Sequence, residues 1–238
     1  MSRDERKISS VPPLLLLFLV AALCAQGIWS RYLSDPSVTV TALPTPPSAS
    51  ILKVAALGQP DVLARVLMLW LQAFDYQPGV SIAFRDLDYV RLEVWLERIL
   101  QLDPQFEYPL LAAARLYGEV ADEVKQRRML KFTARQFRRD PQVRWQWMAH
   151  AVYIAKHRLE DLDLALDLAR ELHALPATDA IPSWVRQMHI FVLEDMGELE
   201  SAKVLLGGLL ESGEITDRHE QWFLSQRLHE LEQRSEGH

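Results

Sequence analysis

Three rhythms of apolar and polar residues divide this chain. Residues 11–29, VPPLLLLFLVAALCAQGIW, form an unbroken apolar run without a charge. Residues 34–50, SDPSVTVTALPTPPSAS, lose all periodicity and carry Pro36, Pro44, Pro46 and Pro47. From about residue 60 onward, apolar positions recur with helical spacing. Ala165, Leu168, Ala169 and Leu172 fall at i, i+3, i+4 and i+7, as do Ala202, Leu205, Leu206 and Leu209. That stripe is one face of an amphipathic helix.

The pattern predicts paired helices. The first pair covers about 60–75 and 87–101, the second 107–120 and 123–139. The third covers 143–157 and 161–174, and the fourth 183–195 and 199–211. A final helix over 216–233, N-capped by Thr216 or Asp217, is polar on one side and suits a cap. Asp103-Pro104 and Asp140-Pro141 each read as a helix stop, because proline cannot continue a helix. Residues 75–89, DYQPGVSIAFRDLDY, interrupt the first pair with the turn signal Pro78-Gly79. Val80, Ile82 and Phe84 alternate there and suit a loop tucked over the open end of the stack.

A period of 37 residues runs through the helical part. It separates Asp103-Pro104 from Asp140-Pro141, Trp147 from Trp184, Ala165 from Ala202, Leu168 from Leu205 and Leu172 from Leu209. Several spacings in phase indicate a repeat whose units bury their apolar faces by stacking. MGELESAKVLLGGLL, residues 196–210, resembles the tetratricopeptide-repeat (TPR) family in the elbow glycine Gly197 and the small residue Ala202; ILQLDP resembles the end of a family repeat. The resemblance covers roughly 88–212. It departs from the family in its period, in the placement of the tryptophans and in the unit at 108–139, which lacks the small residue in register. The layout also resembles membrane-tethered helical-repeat proteins of proteobacterial envelopes.

The expected fold class is therefore all-α: a transmembrane helix followed by a TPR-like antiparallel solenoid of about four pairs and a capping helix. The expected segments are a cytoplasmic N-terminus (1–10), a transmembrane signal anchor (11–30), a Pro-rich linker (31–50) and a helical-repeat domain (51–238). Arg3, Arg6 and Lys7 ahead of the apolar run place the N-terminus in the cytoplasm and the repeat domain in the periplasm. Trp29 and Tyr32 suit the membrane interface, and the linker reads as a stiff spacer. A cleaved signal peptide and a lipoprotein are the alternatives; Leu23 before Cys24 fits neither well.

Composition supports helices: glycine is scarce, at 9 of 238 residues. The net charge of −6 hides an asymmetry. Residues 1–90 are balanced, residues 91–158 hold 13 Lys/Arg against 8 Asp/Glu, and residues 159–238 hold 6 against 17. The single cysteine, Cys24, excludes an intramolecular disulfide or a cysteine metal cluster.

No phosphate loop, nucleophile elbow or metalloprotease motif occurs. His150, His157 and His189 are the nearest approach to a metal set, yet no carboxylate partner is specified, and they read as packed or solvated. Glu194-Asp195 and Glu198/Glu200 read as ordinary acids of helix ends and elbows. No catalytic residue, cofactor or metal ligand is assigned, and no enzyme activity is expected. Arg128, Lys131, Arg135 and Arg138 form a basic stripe that suits an acidic protein or lipid headgroups; nucleic acid is not expected.

In the TPR family the first helices line a concave groove. The resemblance carries that role onto Gln187, Phe191, Glu194 and Asp195, with His150, Ile154 and His157 one unit earlier. Trp147 and Trp184 would share it but suit packing between repeats better. The expected function is a membrane-tethered protein–protein interaction scaffold or assembly factor of the bacterial envelope. The alternatives are a glycan-acting enzyme with dispersed acids and a purely structural spacer.

Overall fold

The computed structural model describes residues 13–33, 42–74, 76–77, 80–178, 180–213 and 215–236. The protein is all-α. Besides the helices, regular structure among the described residues is one two-residue antiparallel hairpin, β1 (Tyr76–Gln77) with β2 (Val80–Ser81), in the register Tyr76↔Ser81 and Gln77↔Val80. The chain divides into two units, residues 1–41 with 76–81, and residues 42–75 with 82–238.

In the first unit α1 runs Pro13–Leu33. The large apolar side chains from Leu14 to Trp29 are exposed, Leu14 at 82% and Trp29 at 71%. Among the described residues no single helix is long and apolar enough by itself to cross a membrane; the apolar part of α1 is Leu14–Trp29. Cys24 is an exposed free thiol on this helix. The expected cytoplasmic segment 1–10 and the linker core 34–41 lie outside the described residues.

The second unit contains α2 (Ala49–Ala55), α3 (Pro60–Ala73), α4 (Tyr89–Leu102), α5 (Tyr108–Leu111), α6 (Glu123–Phe137), α7 (Pro141–His157), α8 (Leu162–His173), α9 (Ser183–Asp195), α10 (Leu199–Glu211) and α11 (Arg218–Glu236). From α6 to α11 each helix packs on the next; α2, α3, α5 and α6 all meet α4, and α7 also meets α9. Local chemistry accounts for the starts. Asp88, Asp122 and Asp161 accept backbone N–H bonds from the first turns of α4, α6 and α8, and Asp217 does so for α11. Gly197, at φ +83°, turns the chain between α9 and α10 where a side chain would be strained.

The principal core joins α6 through α11. Met148, Ala151, Val152, Ile154, Ala165, Ala169, Leu172, Val185, Ala202 and Leu206 are buried in it. Alanines at these crossings let the helices approach closely.

Four differences from the sequence reading have physical causes. First, Pro141 does more than stop α6; it occupies the first turn of α7, where its missing N–H costs nothing, so that helix starts at 141 rather than 143. Second, the first helix of the second pair is irregular. After α5 the chain forms a π-helical turn, Ala112–Leu116, then a 3-10 turn, Tyr117–Glu119. Gly118 permits this: a Cβ there would sit 2.8 Å from the carbonyl oxygen of Ala113.

Third, the docked part of the chain begins at 42, not 51. Leu43 is 2% exposed, and the Leu43 and Pro44 carbonyls accept from Arg91 Nη1 (2.6 Å) and Trp95 Nε1 (2.9 Å). Extended, proline-rich backbone cannot satisfy its own carbonyls, so side chains of α4 do. The short helix α2, capped by Ser48, starts at the end of the expected linker and continues into the expected repeat domain. Fourth, the tryptophan contact between successive units joins Trp184 to Trp145 and leaves Trp184 open to solvent on one side. The two rings meet edge-on at 6.0 Å, with Trp184 half exposed. In the interrupting loop, Ile82 is buried and Phe84 meets Tyr117 edge-on at 5.6 Å, so that part is tucked; the Val80 side chain lies outside the described residues.

One buried arginine ties three elements together. Arg144 of α7 donates to the carbonyls of Gln136 (2.9 Å) and Pro104 (2.8 Å) and to Gln136 Oε1 (3.2 Å). Burial pulls its pKa below the usual arginine value. Arg144→Met keeps the stem and removes the fork, leaving acceptors unpaired. We expect a loss of about 2–4 kcal/mol in urea unfolding, and Arg144→Lys to recover only part of it.

Candidate functional site

Of the seven residues that the repeat resemblance places in a groove, Gln187, Glu194 and Ile154 are buried. α11 lies across α9 and uses a seven-residue spacing to do it. Glu220 accepts from Ser183 Oγ (2.6 and 2.8 Å) and Gln187 Nε2 (2.7 Å). One helical heptad on, Arg227 forks onto Glu194 (2.9 and 2.5 Å); a heptad further, Arg234 reaches the same carboxylate at 2.6 Å. Leu224 and Leu231, also seven apart, are buried alongside. Gln187 and Glu194 are therefore interior residues, 4% and 5% exposed and held by α11, although Gln187 also borders the cavity described below. Phe191 faces Phe223 of α11 at 6.5 Å. Asp195 stays exposed and pairs with Lys156 at 2.7 Å.

The earlier unit behaves similarly. Ile154 is wholly buried. His150 lies half-buried with Nε2 3.4 Å from Glu119, its pKa lowered by burial and by nearby Arg115. His157 is exposed and packs on the Tyr153 ring at 4.8 Å. His189 lies with His173, not with His150 or His157, and no group of three or more metal-ligating side chains forms among the described residues.

The basic stripe is matched within the fold. Arg128 (2.9 Å) and Arg135 both reach Glu93 of α4. Arg138 forks onto Glu171 of α8 (2.8 and 2.6 Å), which raises its pKa. Arg127 and Arg139, beside the stripe, pair with Asp161 and Glu97. Lys131 is exposed. These cations hold α6 between α4 and α8.

The structure opens a different site, a cavity of about 560 Å³ bounded by α8, α9, α10 and the connectors 174–182 and 212–217. Its polar lining includes His173, Ser183, Arg186, Gln187, His189 and Thr216; its apolar lining includes Ile181, Ile190, Leu205, Leu209 and Ile215. No carboxylate is among the described lining residues. Gly208, in the interior of α10, leaves part of the wall open: a Cβ built there meets nothing within 4 Å. A helix-interior glycine costs roughly 0.5–1 kcal/mol relative to alanine, and here it leaves space in a cavity.

Two imidazoles stand in that wall. The His173 and His189 rings lie 4.1 Å apart, and both Nδ1 atoms approach the Arg186 carbonyl, at 3.1 and 2.9 Å. A carbonyl only accepts, so both Nδ1 atoms carry protons. Burial, then the neighbouring His173, pushes His189 down to about 4, which makes it neutral near pH 7. The sequence reading missed His173, Arg186 and the cavity itself. The signals present were the long connector with Pro176 and Pro182, and the Gly207-Gly208 pair within a helix.

Comparison with known proteins finds no matching family model, no similar curated sequence and no similar solved structure.

The depressed His189 sets a pH dependence. The unfolded imidazole takes up a proton near pH 6.5, but the folded one resists until about 4. Stability is therefore full above about pH 6.5 and falls as pH drops toward 4, by up to about 3 kcal/mol. In thermal melts from pH 7.5 to 4.5, His189→Gln should flatten this part of the decline relative to the parent chain.

Proposed function

We propose that the protein is a membrane-tethered scaffold or assembly factor of the bacterial cell envelope. In this reading α1 is a single-pass anchor with a cytoplasmic N-terminus. The helix pairs are a periplasmic, TPR-like solenoid that holds a partner protein. The observation that carries the binding role is the cavity walled by α8, α9 and α10. Its mixture of apolar surface with Arg186 and amide, hydroxyl and imidazole groups suits a partner segment that inserts an apolar side chain beside a carboxylate.

Anchoring is supported by the exposed apolar surface of Leu14–Trp29 in α1 and by the charge-free run 11–29, which as a helix would rise about 28 Å, close to a hydrocarbon core. The glycan-acting alternative calls for two carboxylates flanking a cleft. The described lining of this cavity offers cationic and neutral groups instead.

The test is crosslinked capture with the tagged full-length chain from native membranes. Gly208→Leu fills the cavity from an open position, whereas Gly207→Leu adds the same side chain one residue away, also into open space. Position 208 lines the cavity and position 207 does not. The expected result is a partner retained by the parent and Gly207→Leu and depleted at least tenfold by Gly208→Leu. Equal capture by both variants would count for a spacer or for binding elsewhere. Carbonate washing of the same membranes should leave the parent chain in the pellet; release at a mature, shortened size would remove the anchor.

A further inference from the structure

We propose that the outward face of α2 and α3 rests on the lipid surface that α1 enters, which fixes the N-terminal end of the helix stack against the bilayer. The proposal rests on the reading of α1 as a membrane anchor.

α3 is apolar on both sides. Ala64, Met68 and Leu71 face inward and are at most 2% exposed. Val62, Val66 and Leu69 face outward at 50%, 54% and 66%, and the patch continues through Ile51, Val54 and Leu57, the last at 89%. Stacked repeats need a polar outer face at each end. α11 provides a largely polar one at the C-terminal end, broken by exposed Trp222 and Phe223, whereas among the described residues the outward side of α2 and α3 is mostly apolar. Together the two helices are long and apolar enough for a broken span, but neither is so alone. They meet at 110° and hold 7 and 14 residues, about 10 and 21 Å long. Apolar helices of that length and bend suit the interfacial plane.

Connectivity and charge select lipid as the occupant. The chain arrives from α1 and is pinned at once to α4, on which α2 and α3 pack: Leu43 and Pro44 accept from Arg91 and Trp95, and Trp95 packs on Trp70 of α3 at 4.8 Å. The stretch from Leu33 to Ala42 reaches at most about 30 Å fully extended. The tether therefore brings α2 and α3, before any other pair, to the surface. α2 and α3 carry Lys53 and Arg65 against one carboxylate, Asp61, to which Arg65 is bonded at 3.0 Å. Residues 159–238 hold 6 Lys/Arg against 17 Asp/Glu. An anionic bilayer tolerates the first and repels the second.

The experiment uses the full chain with Cys24→Ser and single substitutions Val54→Cys, Val66→Cys or Val124→Cys, each labelled with the environment-sensitive fluorophore NBD. The proteins are reconstituted into phosphatidylethanolamine–phosphatidylglycerol vesicles containing lipid spin labelled near the headgroup. Val124, on α6 and 74% exposed, is the reference. The expected result is a blue shift and at least twofold quenching at positions 54 and 66, with neither at 124. Val62→Glu together with Leu69→Glu, both outward-facing, should abolish quenching at 54 without changing helix content. Vesicle flotation with no quenching at 54 or 66 overturns the proposal and leaves the anchor standing. Failure to float overturns the anchor and this proposal with it. Shielding without lipid quenching, accompanied by energy transfer between differently labelled chains, assigns the face to a second copy and also overturns it.

Discussion

Close approach at alanine is the contact on which the helical unit is built. Ala151 and Ala155 of α7, Ala165 and Ala169 of α8 and Ala202 of α10 are all fully buried at the crossings between neighbouring helices. A helix pair of this size cannot bury its apolar stripe within itself, so it must present one side to the next pair. Small residues let Met148, Leu168, Leu172 and Leu206 reach across that gap and fill it. The long apolar side chains supply the burial, and the alanines set the distance at which it happens.

Charge is organised around the same stacking. Glu93 and Glu97 of α4, the arginines of α6, and Asp161 and Glu171 of α8 form a band of ion pairs along successive second helices. Exposed pairs of this kind add little energy singly. Their combined effect is positional, since each arginine on α6 has its acceptor on only one neighbour. Arg144 and Glu194 are different. Both are buried, both take several partners, and each ties helices together in a way that an apolar residue of equal size could not.

The two ends of the stack differ. At the C-terminal end α11 brings Glu220, Arg227 and Arg234 down on α9, closing one surface while the neighbouring connectors leave a cavity beside it; its outward side is largely polar apart from Trp222 and Phe223. At the N-terminal end the outward side of α2 and α3 is mostly apolar.

The all-α class and the helices from α3 to α11 were legible in the sequence because they depend on local chemistry. Three-four periodicity, aspartate caps, proline starts and an elbow glycine act over a few residues, and most boundaries fall within two residues of the expected ones. Less of the candidate site was legible. Gln187 and Glu194 stood on the expected face of α9, but whether that face is open depends on where a helix some thirty residues later comes to rest. The seven-residue spacing of Glu220, Arg227 and Arg234 was visible, but its partner was not. The docking of residues 42–48 on α4, the meeting of His173 with His189 and the cavity beside them were likewise decided by tertiary packing. They depend on contacts between distant residues, for which periodicity within a single segment carries no record.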